Sequence, residues 1–235
     1  AVLAAAGELK PQALGKPAAA AGHSLGEYSA LAAAGALGFE DAVKLSRRRG
    51  ELMQKAGDDH PGLMAAVIGL ETEKVEKAAR ENGVYVANYN SPGQIILSGE
   101  KDKLDKACKE AMDAGARFTV PLQVSGAFHS PLMQDAQEGL NKELETVEIR
   151  KPEFPIIGNT TAKVLDPTAE AIRTELMTQL CHSVQWIKTL NTMKDMGIDT
   201  FIEIGPGNVL TKLVKRTLPE ANTIMLGTME DIEAL

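Results

Sequence analysis

Between residues 63 and 125 the chain alternates short apolar runs with charged segments, and this alternation constrains the fold more than any other feature. The apolar runs are LMAAVIGL, VYVANYN, QIILSGE and RFTVPLQV; ETEKVEKAARENG follows the first and KDKLDKACKEAMDAG follows the third. Short apolar runs indicate buried strands, whereas the charged segments have helical periodicity. The resulting order of strand, helix, strand, strand, helix, strand predicts a ferredoxin-like βαββαβ subdomain over residues 59–125.

The segments on either side of this unit also alternate between strand and helix patterns. Predicted strands are residues 17–23, 154–159, 199–205 and 222–226, and predicted helices are 25–36, 131–147, 168–180, 184–196 and two segments that begin after Gly38 and Gly207. Such alternation favours a mostly parallel sheet with helices on both faces. We therefore predict an α/β core built from residues 1–58 and 126–235, into which the small subdomain is inserted.

Composition limits the classes of function. The 25 Lys and Arg residues are outnumbered by 32 Asp and Glu, and no long basic block offsets the net charge of −7, so we expect no nucleic-acid partner. The two cysteines, Cys108 and Cys181, lack the spacing of a disulfide framework or a zinc site, so we expect no metal and a reducing, cytoplasmic location. The opening segment AVLAAAGELK is too short and too acidic for a signal sequence or a membrane span. We expect a monomer with no membrane partner.

The motif G-x-S-x-G occupies residues 22–26, GHSLG, between a short apolar run and a helical pattern. The flanking glycines permit the close backbone approach that a strained serine turn requires. A helix that begins directly after Ser24 would aim the backbone N–H of Leu25 at an oxyanion formed there. Two interpretations stay open, because Ser24 is either a nucleophile or only the N-cap of the helix.

A serine nucleophile needs a base, and the chain contains four histidines. His129 follows a predicted strand and precedes a predicted helix, which is where a catalytic base is expected. His182, in QLCHSVQW, is the second candidate. His23 is expected to pack structurally, because its side chain diverges from that of Ser24, and His60 lies in a polar loop that is expected to be solvated.

An arginine lies on the apolar stripe of the helix FEDAVKLSRRRGELMQKA. Arg49 shares this stripe with Leu45 and Leu52, whereas Arg47 and Arg48 do not. Burying a guanidinium is costly unless it meets an anion. That anion is either an Asp or Glu of the chain or the carboxylate of a substrate, which arginine binds with paired hydrogen bonds.

Several motifs, in this order, resemble the malonyl-CoA:acyl carrier protein transacylase family. They are GHSLGEYSAL, RRRGELMQ, NYNSPGQ, GAFHSPLM and EIGPGNVLTKL, and the resemblance covers essentially the whole chain. It implies a hydrolase-like α/β core with the ferredoxin-like insert. It also implies transfer of a malonyl group from malonyl-CoA to the phosphopantetheine thiol of acyl carrier protein in fatty acid biosynthesis, without a cofactor.

The resemblance implies a role for each candidate catalytic residue. Ser24 would attack the thioester and form a malonyl-serine intermediate, and His129 would take its proton. In this family a backbone carbonyl, instead of an acid, orients the histidine, and the matching position is Gln179. The Leu25 N–H would bind the oxyanion.

Three further residues are implied to bind the substrate. Arg49 would bind the malonyl carboxylate, and Asn90, in NYNSPGQ, would line the cleft. Phe128 would limit the room for an α-methyl branch, although one methyl group is worth only about 1–3 kcal/mol, so that exclusion is expected to be partial.

One departure from the family pattern concerns the start of the chain. Family members begin with a strand and a G-Q-G-S-Q motif ahead of the serine, and no part of this sequence matches it. We therefore expect an N-terminally incomplete chain in which Leu25 is the only oxyanion donor. Loss of one such donor costs about 10²–10³ in rate, so full activity of the chain is not assured.

Two other functions remain open at this level. A serine hydrolase or thioesterase would use Ser24 and His129 with water as the acceptor. A catalytically silent docking module would recognise an acidic carrier protein through Lys212, Lys215 and Arg216, although a solvated helix face explains these charges better.

Overall fold

The computed structural model describes residues 2–10 and 14–235. The first helices are α1 (Val2–Leu9), α2 (Gly26–Ala33) and α3 (Phe39–Asp59). They are followed by β1 (Leu63–Ile68), α4 (Thr72–Asn82), β2 (Tyr85–Ser91), β3 (Gln94–Gly99), α5 (Lys101–Asp113) and β4 (Phe118–Pro121). After a 3₁₀ turn (Pro131–Met133) come α6 (Gln134–Glu145), α7 (Ala169–Thr178), α8 (Trp186–Asp195), β5 (Thr200–Ile204), α9 (Val209–Thr217), β6 (Asn222–Leu226) and α10 (Met229–Glu233).

The chain is a mixed α/β protein, and the element order predicted between residues 63 and 125 is confirmed. The four strands of this segment form one sheet in the order β2-β3-β1-β4, and every neighbouring pair is antiparallel. Val67 and Ile95, which are paired across β1 and β3, lie on the face that α4 and α5 cover. On the opposite face Met64, Ala66 and Ile96 pack against Phe128, which joins this sheet to the rest of the molecule.

The helices α2, α3, α6 and α7 share a second apolar core. Leu31, Leu45, Leu140 and Leu176, one from each helix, are buried within it. The stripe predicted on α3 therefore faces this core, as helical periodicity requires. A third cluster, formed by α8, α9 and the strand β5 beside them, includes Trp186.

The large parallel sheet predicted for the core is much reduced in the part of the chain that the structure describes. Strands β5 and β6 pair in parallel, but residues 17–23 and 154–159 contribute only one parallel bridge, between Ala20 and Ile156. The physical reason lies in these two segments. Alanine has no branched side chain to favour a strand, and Pro155 has no N–H to donate to a ladder.

The ends of several helices also differ from the prediction. The helix expected over residues 25–36 ends at Ala33, ahead of Gly35, whose φ of 71° is left-handed. The short helix α10 was not predicted, and residue 1, the predicted start of the core, lies outside the described residues.

Within the described residues no helix has both the length and the apolar character needed to cross a lipid bilayer.

Candidate active site

The backbone around Ser24 forms a strained turn at the start of α2. Ser24 has a φ of 50°, in the left-handed region that non-glycine residues rarely adopt. A Cβ atom built on Gly22 would lie 1.9 Å from the carbonyl of Gly26, so only glycine fits there. The turn is closed by a hydrogen bond of 2.9 Å from the Gly26 N–H to the His23 carbonyl.

The side chain of Asn159, which is buried, stabilises this turn. Its side-chain oxygen accepts a 2.7 Å hydrogen bond from the Ser24 N–H, and its side-chain nitrogen donates a 2.7 Å hydrogen bond to the Gly22 carbonyl. The amide thus joins the two sides of the turn. The sequence interpretation did not include Asn159, because an asparagine after an apolar run is also typical of an ordinary loop.

His129 lies beside Ser24, as expected of the base. The distance from Ser24 Oγ to His129 Nε2 is 2.8 Å, and His129 Nδ1 lies 2.8 Å from the backbone oxygen of Gln179. A carbonyl oxygen only accepts, so Nδ1 carries the proton and Nε2 is free to accept the proton of the serine hydroxyl. His129 is 4% exposed and has a φ of 56°, so both partners occupy strained backbone.

The surroundings of His129 keep its imidazole neutral. Burial, and then the nearby guanidinium of Arg49, lower the pKa of His129 from 6.5 to about 3. A neutral imidazole is the form that can remove a proton from a hydroxyl. At neutral pH His129 is therefore uncharged, with Nε2 available to accept the proton of the Ser24 hydroxyl.

The other three histidines do not reach Ser24. His23 pairs through Nε2 with Asn90 Oδ1 at 2.8 Å and packs edge-on against the Trp186 ring, with the ring centres 5.4 Å apart. His182 donates a 2.9 Å hydrogen bond to the Thr178 carbonyl, and His60 is an exposed partner of Asp135. Of the two candidate histidines, His129 is the one whose ring nitrogen lies within hydrogen-bond distance of Ser24 Oγ.

Arg49 is buried, with 5% of its surface exposed, and points at the nucleophile. Its Nη2 donates to Ser24 Oγ at 2.9 Å and to Gln179 Oε1 at 3.1 Å. Its Nε lies without a hydrogen-bond partner among the described residues, and the guanidinium carbon lies 5.9 Å from the centre of the Tyr28 ring. Among the described residues the hydrogen-bond partners of Arg49 are thus a hydroxyl and an amide, and of the two interpretations left open by the sequence, the structure shows no internal salt bridge.

Gln179 connects these groups through both its backbone and its side chain. Besides the contacts to His129 and Arg49, its Nε2 donates to the Ser24 carbonyl at 3.0 Å and to Glu27 Oε2. Burial, and then the neighbouring Glu175, raise the pKa of Glu27 above its ordinary value, whereas the hydrogen bonds that it accepts from Asn159 and Gln179 favour the charged form. The sequence interpretation did not include the side chains of Gln179 and Glu27.

The remaining candidate residues lie around this centre. Asn90, near the end of β2, contacts His23 and not Ser24. Phe128 packs between two apolar clusters of the core. The Leu25 N–H has no acceptor among the described residues, whereas the next two N–H groups bond to His23 and Ser24.

A cleft of about 740 Å³ opens beside the catalytic pair. Residues of α4 and β2 form one wall of it, and the loops that carry His129 and Cys181 form the other. The cleft therefore gives a ligand direct access to His129.

The basic residues proposed for docking lie elsewhere, on α9. There Arg216 donates a 2.7 Å hydrogen bond to Gln94, and Lys215 donates to the Ala221 carbonyl.

The chain is similar in sequence and in structure to known proteins. Residues 1–231 match the family model described as the acyl transferase domain. The malonyl CoA-acyl carrier protein transacylase of Bacillus subtilis (strain 168) is 44% identical over 218 residues, which are 91% of this chain and 68% of that protein.

Two solved structures are also similar. An acyl carrier protein S-malonyltransferase from Vibrio cholerae superposes with a TM-score of 0.93 and 37% identity, over 100% of this chain and 78% of that one. A complex of a type II PKS acyl-carrier protein with its malonyl-transacylase, PlMCAT:AntF, gives a TM-score of 0.94 and 36% identity, over 100% of this chain and 77% of that one.

Proposed function

Because the chain belongs to the acyl transferase domain family, we propose that it transfers a malonyl group from malonyl-CoA to the phosphopantetheine thiol of acyl carrier protein, in fatty acid biosynthesis. The observation that carries this proposal is the buried guanidinium of Arg49, whose Nη2 lies 2.9 Å from Ser24 Oγ. A cation beside Ser24, to which no carboxylate of the described residues is bound, suits an acyl group that brings its own carboxylate.

The first half-reaction acylates the serine. Ser24 Oγ attacks the thioester carbonyl as His129 Nε2 takes the hydroxyl proton, and the Gln179 carbonyl holds the protonated ring in place. The negative charge that develops on the carbonyl oxygen is stabilised by the Leu25 N–H at the start of α2. When the tetrahedral intermediate collapses, the C–S bond breaks and the imidazolium returns its proton to the sulfur of CoA.

The second half-reaction repeats the same geometry with a different thiol. The phosphopantetheine thiol of acyl carrier protein gives its proton to His129 and attacks the malonyl ester of Ser24. Collapse of the second intermediate breaks the ester C–O bond and returns the proton to Ser24 Oγ. The kinetics are therefore ping-pong, and the cleft must favour the thiol over water as the acceptor.

Acyl selectivity follows from the same contacts. An acetyl group would leave the buried guanidinium of Arg49 without a carboxylate, and an unmatched buried charge discriminates strongly. Phe128 and Asn90 are proposed to shape the acyl site from its edges, Phe128 by limiting an α-methyl branch and Asn90 through its 2.8 Å contact with His23, the residue before Ser24.

We also propose a division of the chain into two parts. Residues 1–58 and 126–235 form a hydrolase-like core, and residues 59–125 form a ferredoxin-like insert. The strand order β2-β3-β1-β4, with two helices on one face, supports the insert. A cytoplasmic location is also proposed, and the free thiols of Cys108 and Cys181 suit a reducing compartment.

The intact mass of the protein after mixing with malonyl-CoA tests the function directly. We expect one malonyl adduct that is absent from Ser24→Ala, persists in water and is discharged by phosphopantetheinylated acyl carrier protein. Rapid loss of the adduct to water, with free malonate as the product, would instead identify a hydrolase. A protein that binds the carrier but forms no adduct would identify a docking module.

A further inference from the structure

The side-chain amide of Gln179 has its orientation fixed by two neighbours. Its oxygen faces Arg49 Nη2, which only donates, and its nitrogen faces the Ser24 carbonyl, which only accepts. Rotating the amide by half a turn would place two donors together at Arg49 and two acceptors together at Ser24. The nitrogen's remaining N–H points at Glu27 Oε2.

Glu27 is the fully buried end of this chain of contacts. It lies in the first turn of α2, three residues after Ser24, and is 0% exposed. Its Oε1 accepts a 3.0 Å hydrogen bond from the Asn159 N–H and its Oε2 accepts from Gln179, so both oxygens serve donors. A buried carboxyl group with this arrangement can hold an amide in only one direction.

We propose that Glu27 is a positioning residue that acts through the side-chain amide of Gln179 to aim Arg49 at the acyl carboxylate. The path is Glu27 Oε2, Gln179 Nε2, Gln179 Oε1 and Arg49 Nη2. The proposal deepens malonyl transfer and rests on it, because the carboxylate that Arg49 awaits belongs to the proposed substrate.

The path acts on Arg49 separately from the base. The Gln179 backbone is fixed independently, because its N–H donates a 2.9 Å hydrogen bond to the Glu175 carbonyl at the end of α7. The Gln179 carbonyl that holds His129 therefore stays in place when the side-chain amide turns. Disturbing Glu27 is expected to change acyl selectivity more than the rate of attack itself.

The substitution Glu27→Gln tests the path without changing the size of the side chain. An amide nitrogen cannot accept a hydrogen bond. In either orientation the new nitrogen therefore faces a donor, the Asn159 N–H or Gln179 Nε2. The strain is relieved by turning the Gln179 amide, which then places its own donors against Arg49.

The chain offers a matched control in Glu175, which is also a buried carboxyl group, at 4% exposure. Its oxygens accept from the N–H and the hydroxyl of Thr160 at 2.6 and 2.7 Å. A hydroxyl can accept as well as donate, so Glu175→Gln keeps both contacts. Removing the charge of Glu175 also lowers the pKa of Glu27, which keeps Glu27 an acceptor for the Gln179 amide. This variant is therefore expected to retain the selectivity of the unaltered protein.

The readout is the rate at which Ser24 is acylated by malonyl-CoA and by acetyl-CoA, followed by intact mass. We expect Glu27→Gln to lower the malonyl rate by about 10- to 100-fold, which is typical of a misplaced positioning contact, and to leave the acetyl rate within about threefold. General loosening of the site would lower both rates by the same factor and would overturn the proposal. So would an unchanged ratio, or an equal loss of selectivity in Glu175→Gln.

A second variant decides the matter should Glu27→Gln fail to fold. Gln179→Met removes the amide, keeps the backbone carbonyl for His129, and is expected to produce the same selective loss of malonyl transfer. In the double variant the two losses should not multiply, because both break one path. Multiplying losses, or a Gln179→Met protein with normal selectivity, would refute the path. If the unaltered protein forms no malonyl adduct, it is the proposed function that fails.

Discussion

The hydroxyl of Ser24 lies 2.8 Å from Nε2 of His129, although 105 residues separate them in the chain. Each has a positive φ, 50° for Ser24 and 56° for His129. Two non-glycine residues held in strained backbone and aimed at each other indicate that the surrounding structure enforces the pairing. Such a pairing fits the proposed nucleophile and base better than a simple helix N-cap, and the proposed base is open to a direct test.

Replacing the base is expected to separate the two candidate histidines. His129→Ala should slow acylation of Ser24 by about 10²–10⁴, the usual contribution of a positioned general base. His182→Ala is the control, since the His182 ring is exposed and its hydrogen-bond partner among the described residues is the Thr178 carbonyl. The rate is measured as malonyl-serine formation in a single turnover. A loss in His182→Ala that matched the loss in His129→Ala would contradict the assignment.

Acyl selectivity should depend on Arg49 and not on the arginines beside it. Arg49→Ala is expected to raise the activation free energy of malonyl transfer by about 2 kcal/mol or more, the value of a hydrogen bond to a charged group. It is also expected to reduce the preference for malonyl-CoA over acetyl-CoA. Arg47→Ala is the control, because the Arg47 side chain is 83% exposed and pairs with Glu51 on the surface. Competition between the two thioesters gives the ratio directly. An unchanged ratio in Arg49→Ala would exclude the guanidinium as the carboxylate site.

The acid limb of the reaction is expected to lie at unusually low pH. Because burial and Arg49 lower the pKa of His129 to about 3, acylation should not decline near 6.5, the ordinary value for histidine. Rapid-quench acylation between pH 5 and 7, with folding at each pH checked by circular dichroism, tests this expectation. A titration of the rate centred near pH 6.5 would contradict it.

The same pKa shift predicts how stability depends on pH. The unfolded chain binds a proton on this histidine below pH 6.5, whereas the folded chain does not until about pH 3. The contribution of His129 to stability is therefore present above pH 6.5 and is lost as the pH falls from 6.5 toward 3. Urea unfolding of the unaltered protein and of His129→Ala across this window isolates the contribution, and equal pH dependence in both would contradict it.

The sequence predicts best those parts of the site that have a local pattern. Ser24 stands in a glycine-flanked motif, His129 follows the predicted strand RFTVPLQV, and Arg49 interrupts an apolar stripe, so each has a signal within a few residues. Glu27 has no such signal, because an acidic residue in the first turn of a helix is already explained by the helix dipole. Asn159 has no local signal either, because its role depends on contacts with residues more than 130 positions away in the chain.

The fold also has parts that the local sequence predicts and parts that it does not. The segment from 63 to 121 has β-branched runs and charged helices, and its elements are predicted in order. The extended segments around Ala20 and Ile156 are alanine-rich or interrupted by proline, and their single bridge depends on tertiary contacts that local propensity does not encode.

The two glycines of the serine motif should respond oppositely to the same substitution. Gly22→Ala places a Cβ 1.9 Å from the Gly26 carbonyl, and since that neighbour is backbone, the turn itself must move. We expect a loss of stability of about 1–3 kcal/mol, the cost of overpacking. Gly26→Ala adds a Cβ in open space at the first position of α2, where alanine favours the helix by about 0.5–1 kcal/mol. Thermal unfolding of both variants measures the difference, and a Gly22→Ala protein as stable as Gly26→Ala would show that the turn around Ser24 is not held as tightly as its geometry indicates.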